Sequence, residues 1–404
     1  MPQALSETEE RRVYVITNGK IVTEEGILTG FDLLLSGNRI ERIARAGELA
    51  TESDAQIIDA KGGYVSPGFI DLHSDYIEHM AAPRPTSLMD FHLSLREAEK
   101  QLISHGITTM YHSLSLYKGS EYNYKPIRQP ENVRKFIDLV DQTRHTKHLV
   151  RHRLHARFEI DNIDQIDNLK SFIAERKVHL VSFMDHTPGQ GQYRDLEMYR
   201  KTIKGYGNMT DEEIETMIAN RQSQSKMTID GIREVAEMAQ EVAISIASHD
   251  DDSIEKVELV QTFGATISEF PITLEIAKKA KEQGMHTIAG APNVMLGGSH
   301  NGNLSAAEAI QNDCIDILCS DYYPAAMLHA IFELNKSYGL DLAEMFKLVT
   351  INPAKAVGLD QEIGSIQEGK KADLLIIEKI DPDFPVITAV FVDGELVQKT
   401  NYRI

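Results

Sequence analysis

The chain has 404 residues, 42% apolar and 25% charged, which supplies a sizeable core and argues against disorder. Lys and Arg number 42 against 61 Asp and Glu, a net charge of −19 that speaks against a nucleic-acid or anionic-membrane surface. A small anionic substrate still fits, because surface charge is screened beyond about 8–10 Å.

Residues 12–62 read as short strands, VYVITNGKIVT, FDLLLSGNRIERIA and AQIIDAKGGYV, with Asn18-Gly19 and Gly37-Asn38 as hairpin-type turns. The stretch 363–404 looks alike, with Asp393-Gly394 as its turn. Two strand-rich ends suggest one small β-sandwich built from both termini, 1–64 plus 360–404; two separate β appendages are the other reading. Between them, 65–359 alternates strand and helix patterns. Strands are expected at 68–73, 107–113, 154–160, 178–186, 242–249, 265–270, 286–291 and 315–321, most followed by helical text such as NVRKFIDLVDQTRH. Such a series over about 250 residues predicts an α/β fold, a (β/α)8 TIM-like barrel. A doubly wound sheet competes, but no GxGxxG or P-loop follows the first strand. The connection 188–228, about forty polar residues, is too long for a plain βα loop. Its text DEEIETMIANRQSQ suits a lid or helical hairpin, and a solvated surface excursion equally.

No apolar run approaches the roughly 18 residues that span a bilayer. The start MPQALSETEERR lacks the apolar stretch of an export signal. Cys314 and Cys319, about 16 Å apart if extended, lie beyond disulfide reach. Reduced thiols and no export signal predict a cytoplasmic protein without membrane or nucleic-acid partners.

Ligand-type side chains gather at the C-terminal ends of the expected strands: His73 and Asp75, Glu159, His186, His249 and Asp321. Barrel enzymes build their sites on that edge. Single histidines there are commonly structural, but so many imidazoles and carboxylates together leave unpaired acids that are costly to bury. A pair of divalent ions removes that cost. In LHARFEI, Leu154, Ala156, Phe158 and Ile160 alternate with His155, Arg157 and Glu159, giving one apolar and one ionisable face. Polar groups on the inner face need a metal–substrate cavity, or else an internal Arg157–Glu159 pair with a satisfied His155.

The run PGFIDLHSD, the separated histidines, the late Asp321 and the closing NPAKAVGL and GKKADLLI resemble the amidohydrolase superfamily over essentially the whole chain. The longer strings RHRLHARFE, SFMDHTPGQGQY, ASHDD, SEFPIT, GAPNVMLGGSHNGN and CSDYYPA are similar to its triphosphate diphosphohydrolase branch, which serves the carbon–phosphorus lyase pathway. That resemblance implies that His73 and Asp75 hold one metal and that Glu159 bridges where many relatives use a carbamylated lysine. It implies further that His186 and His249 hold the second metal and that Asp321 contacts the attacking water. Superfamily descriptions put the two histidines on the fifth and sixth strands; the count here puts them on the fourth and fifth. The sequence departs from the branch at Leu296, where an arginine is expected, and at Tyr76, where an asparagine is expected.

The resemblance implies release of pyrophosphate from α-D-ribose 1-methylphosphonate 5-triphosphate, a small phosphorylated sugar. Two divalent cations are implied, zinc ahead of manganese, nickel or iron. Arg157 can grip two phosphate oxygens in a fork, and Gly297, Gly298, Ser299 and His300 follow the seventh strand where backbone amides can approach an anion. His155, Gln190 and Tyr322 complete the expected substrate contacts, with Gln192 and Tyr193 as a cap. Lys118, Lys125 and Arg128 either meet the triphosphate tail or belong to a solvated loop. An amide or amidine hydrolase on the same metals and a catalytically silent scaffold are the competing functions. Barrels of this type with exposed strand-rich modules often pair, so a homodimer is a candidate assembly.

Overall fold

The computed structural model describes residues 12–49, 54–84, 86–116, 126–193, 195–206, 209–298 and 303–403. The chain divides into two compact units, one running to Gly68 and resuming at Leu359, the other spanning Phe69–Gly358.

The terminal unit begins with β1 (Val13–Thr17), β2 (Lys20–Thr23), β3 (Gly26–Leu28), β4 (Phe31–Ser36), β5 (Arg39–Arg45), β6 (Gln56–Asp59) and β7 (Tyr64–Pro67). The other unit holds β8 (Phe69–Ser74), β9 (Ile107–Leu116), β10 (Arg151–Glu159) and β11 (Leu180–Met184). It continues with β12 (Ser245–His249), β13 (Ile267–Glu269), β14 (His286–Gly290) and β15 (Ile317–Cys319). The chain then returns to the terminal unit as β16 (Leu374–Ile380), β17 (Phe384–Val392) and β18 (Glu395–Lys399).

Strands from both ends share one sheet, ordered β18-β17-β16-β7-β2-β3, and a second sheet runs β5-β4-β1-β6. Tyr14, Ile16, Leu33 and Leu35 of one sheet pack with Val65, Leu374, Ile376 and Phe391 of the other in a single core, so the termini build one sandwich. Gly37-Asn38 and Asp393-Gly394 do turn hairpins, β4–β5 and β17–β18. Asn18-Gly19 does not: β1 pairs with β4 and β6, whereas β2 pairs with β3 and β7. This turn carries the chain from one sheet to the other. A Cβ at Gly19 would stand 2.5 Å from Val65 Cγ2, so the crossing needs a glycine.

The larger unit is a barrel of eight parallel strands in sequential order, β8 to β15. It is drawn together by a parallel bridge of Ser74 with Asp321, where Asp75 N–H donates to Asp321 O at 2.8 Å and Asp321 N–H to His73 O at 3.0 Å. The alternation in β10 has the expected effect. Leu154, Ala156 and Phe158 join an apolar layer with Leu95, Phe136, Phe172 and Val235 from surrounding helices, leaving His155, Arg157 and Glu159 for the inner side. The long connection folds as two helices, Leu196–Tyr206 and Asp211–Gln222, around a small core of Tyr199, Ile214, Met217 and Ile218. Two of its basic side chains are engaged locally: Arg200 reaches Glu215 at 2.6 Å, and Lys204 pairs with Asp211. No helix among the described residues is long and apolar enough to cross a membrane.

Candidate metal centre and its cavity

The carboxyl ends of the barrel strands deliver the ionisable groups. His73 closes β8, Glu159 closes β10, His186 lies two residues past β11, His249 ends β12, Glu269 ends β13 and Asp321 lies two residues past β15. The histidines therefore sit at the fourth and fifth barrel strands, as counted from the sequence, and the sixth ends in a glutamate. Glu269 had no assigned role, although an acid closing a barrel strand within SEFPIT carried the same signal as its neighbours.

Among the described residues, two sets of ligand atoms come together closely enough for a metal ion, within 4.8 Å of one another in each set: His73, His249 and Glu269, and His186, His249 and Asp250. His249 belongs to both. His73 Nδ1 lies 2.9 Å from Glu269 Oε1, an arrangement that fixes the ring. His186 Nδ1 is hydrogen-bonded to Glu159 Oε1. Burial opposes charge on His186, but the Glu159 and Asp250 carboxylates push it up to about 9. Both ring nitrogens of His249, His186 Nε2, Asp250 Oδ2 and Glu269 Oε2 are buried and make no hydrogen bond among the described residues. Polar atoms left thus are costly unless a cation takes their lone pairs. The residues fit a metal centre.

Asp75 and Asp321 stand beside these sets and do not join them. Burial, followed by the Asp75 carboxylate, pushes Asp321 up to about 7. A Cβ at Gly290 would come 3.3 Å from Asp321 Oδ2, so the small residue gives that carboxylate room. Asp250, Phe270 and Asp321 all hold left-handed backbone, with φ of 51°, 54° and 58°. Each donates its N–H to a neighbouring strand: Asp250 to Glu269 O at 2.8 Å, Phe270 to Ile288 O at 2.9 Å, and Asp321 to His73 O. The barrel thus holds three costly backbone turns where its side chains must be aimed.

A cavity of about 290 Å³ opens on this edge. Its lining combines His73, His249, Asp250 and Asp321 with the apolar Phe270, Pro271, Leu296 and Leu304, and Tyr322 and Arg157 also border it. Arg157 has no ion pair among the described residues and its Nε no hydrogen bond, so the alternative of an internal Arg157–Glu159 pair is not realised. The other half of that alternative is. His155 is fully buried, with Nδ1 3.1 Å from Leu72 O and Nε2 2.9 Å from Ser182 Oγ. Both nitrogens of His155, expected at the substrate, are thus engaged by the barrel wall, and the residue lies off the cavity lining. Gln190 is an exposed turn residue outside the cavity lining. Gly297 and Gly298 also lie off that lining, while Ser299 and His300 lie outside the described residues. Leu296, 64% exposed, occupies the rim where an arginine was expected. Arg128, half-buried, is held by the buried Glu78 at 2.8 Å; Lys118 and Lys125 lie outside the described residues.

The family model described as "Amidohydrolase family" matches residues 64–397, most of the chain. The chain belongs to the amidohydrolase family. An alpha-D-ribose 1-methylphosphonate 5-triphosphate diphosphatase from Escherichia coli (strain K12) is 33% identical to this amidohydrolase over 91% of the chain and 96% of the relative. A dihydroorotase from Clostridium acetobutylicum is 24% identical over 91% of the chain and 90% of its own length. Among solved structures, one amidohydrolase superposes with a TM-score of 0.65 at 17% identity, covering 96% of this chain and 99% of its own. That likeness speaks to the fold alone. Family membership makes this amidohydrolase a hydrolase, of a kind that generally works with a binuclear metal centre.

Proposed function

We propose that this amidohydrolase is a metal-dependent diphosphatase that releases pyrophosphate from α-D-ribose 1-methylphosphonate 5-triphosphate and leaves the 5-phosphate. The observation that carries this reading is Arg157, an unpaired guanidinium facing the cavity beside the ion-binding side chains, where a neutral amide would need no such cation. The relative that is 33% identical bears that activity in its name.

Divalent ions held by these side chains would supply Lewis acidity toward water and a phosphoryl oxygen. Arg157 then holds the triphosphate oxygens in a fork and orients the α-phosphorus. Asp321, raised by its burial toward neutrality, accepts the proton of the attacking water. The new bond forms from water oxygen to the α-phosphorus, and the bond to the bridging oxygen breaks with its electron pair leaving on pyrophosphate. Tyr322 at the rim contacts the sugar end.

An amide-hydrolase reading draws on the apolar wall of Phe270, Pro271, Leu296 and Leu304, which suits a small ring, and on the dihydroorotase relative. The test is ³¹P product analysis with purified, metal-loaded protein offered the ribose methylphosphonate triphosphate, a nucleoside triphosphate, dihydroorotate and N-acyl amino acids. Pyrophosphate appearing from the sugar triphosphate is the expected result. Amide or ring opening without pyrophosphate would reverse the assignment.

A further inference from the structure

Three acids follow His249 in sequence, Asp250, Asp251 and Asp252, and the structure gives them different work. Asp251 Oδ2 accepts the Ser248 and Ser268 hydroxyls, which ties β12 to β13. Asp252 Oδ2 accepts the Gly191 amide at 2.7 Å and fixes the start of the long connection. Asp250 Oδ2 instead lies 2.9 Å from His249 Nδ1 and 3.5 Å from His186 Nε2. All three of these atoms are buried, and these imidazole–carboxylate contacts, which fall short of hydrogen-bond geometry, are their partners among the described residues. The other nitrogen of His186 is taken by Glu159, so Nε2 is the atom it has to offer.

The backbone is bent to make this approach. Asp250 adopts φ of 51°, and Lys256 Nζ donates to the carbonyls of His249 and Asp250, at 2.8 and 3.1 Å, clamping the turn from below. A β-strand residue after His249 would alternate away from the inner side. The left-handed turn brings the carboxylate back to the imidazoles.

We propose that Asp250 is a protein ligand, together with His186 Nε2 and His249 Nδ1, for one divalent cation of the centre. Two imidazoles and one carboxylate form an N₂O donor set of the kind that suits Zn²⁺. The inference rests on the metal-dependent reading above and is independent of the substrate assigned there.

The experiment is Zn²⁺ binding by the full-length, chelator-stripped protein, read as metal per chain and as affinity against a competing indicator, with no turnover measured. In wild type two binding steps are expected. Asp250→Asn should weaken one step by about 100-fold or more and leave the other. Asp250→His, which restores a donor, should recover much of the loss, and Asp252→Asn should bind as wild type does. Should Asp250→Asn fail to fold by circular dichroism, Co²⁺ bound to Asp250→His provides the second measurement, since a ligand exchange moves its visible absorption bands. Two wild-type-like Zn²⁺ steps in Asp250→Asn, or an unmoved Co²⁺ spectrum in Asp250→His, would overturn the proposal. Failure to release pyrophosphate would refute the diphosphatase assignment and leave this binding result untouched.

Discussion

At Arg157 the chemistry of one side chain separates two kinds of substrate. Its guanidinium borders the cavity and makes no ion pair among the described residues, so a substrate anion can take it as partner. A hydrogen bond to a charged group is worth about 1.5–3 kcal/mol. Arg157→Gln is therefore expected to lower kcat/KM for the sugar triphosphate by roughly 10- to 150-fold, with far less effect on any neutral substrate, in steady-state kinetics. Arg157→Lys keeps the charge and loses the fork, so it should recover only part. Asp321→Asn should cut turnover about 10²–10⁴-fold with metal content retained. An active Asp321→Asn enzyme would remove that residue from the proton transfer. Asp321 was readable from the sequence as a late acid ending a strand, whereas a satisfied His155 was only one of two readings there, because Leu72 and Ser182 reach it from other strands.

Strand β10 shows how an element divides its work. Its apolar face packs against the helix Pro130–Thr143, where Phe136 is fully buried and meets the rings of Phe91 and His112 edge-on. Phe136→Ala removes a large ring from that layer and should cost about 3–5 kcal/mol in urea unfolding. The same strand places His152 in a polar chain with its neighbour β9: His112 Nε2 of β9 lies 2.8 Å from His152 Nδ1, and His152 Nε2 lies 2.9 Å from Glu99 Oε1. Burial alone would raise Glu99, but His152, the Leu149 amide and Arg96 hold it down at about 2, below its ordinary 4.5. A depressed carboxylate contributes stability that is present above pH about 4.5 and is lost as the pH falls toward 2. Urea midpoints of wild type and Glu99→Gln should therefore differ most near neutrality and converge between those pH values. A gap that widens on acidification would contradict this assignment. The alternation of β10 was plain in the text of the chain, but the role of Glu99 was not, since His152 and the Leu149 amide lie about fifty positions away.

For the molecule as a whole, binding of ions to the native state alone should add stability. The donor atoms of the centre come from separate strands and meet only in the folded barrel, so the unfolded chain holds no equivalent site. An ion present at 100 times its dissociation constant adds about 2.7 kcal/mol. Chelator-stripped protein should melt at lower temperature than the metal-loaded form, and added Zn²⁺ should restore the transition. An unchanged melting temperature after verified stripping and reloading would count against a structural contribution from the centre.

The order of barrel strands, the outward apolar and inward ionisable faces, and most of the acids and imidazoles at the carboxyl edge follow from the chain's own text. They are local properties, a period of two along a strand and a residue type at its end. Several decisions needed contacts between segments far apart. Asn18-Gly19 became a crossing between sheets and not a hairpin, because β1 and β2 found different partners. Glu269 gained a role through His73, 196 positions earlier. Asp250, one of three like acids in a row, turned toward the histidines because its backbone is held left-handed by β13 and Lys256. Residue type and spacing say what a side chain can do; which atom it faces depends on the neighbouring strands that close the barrel.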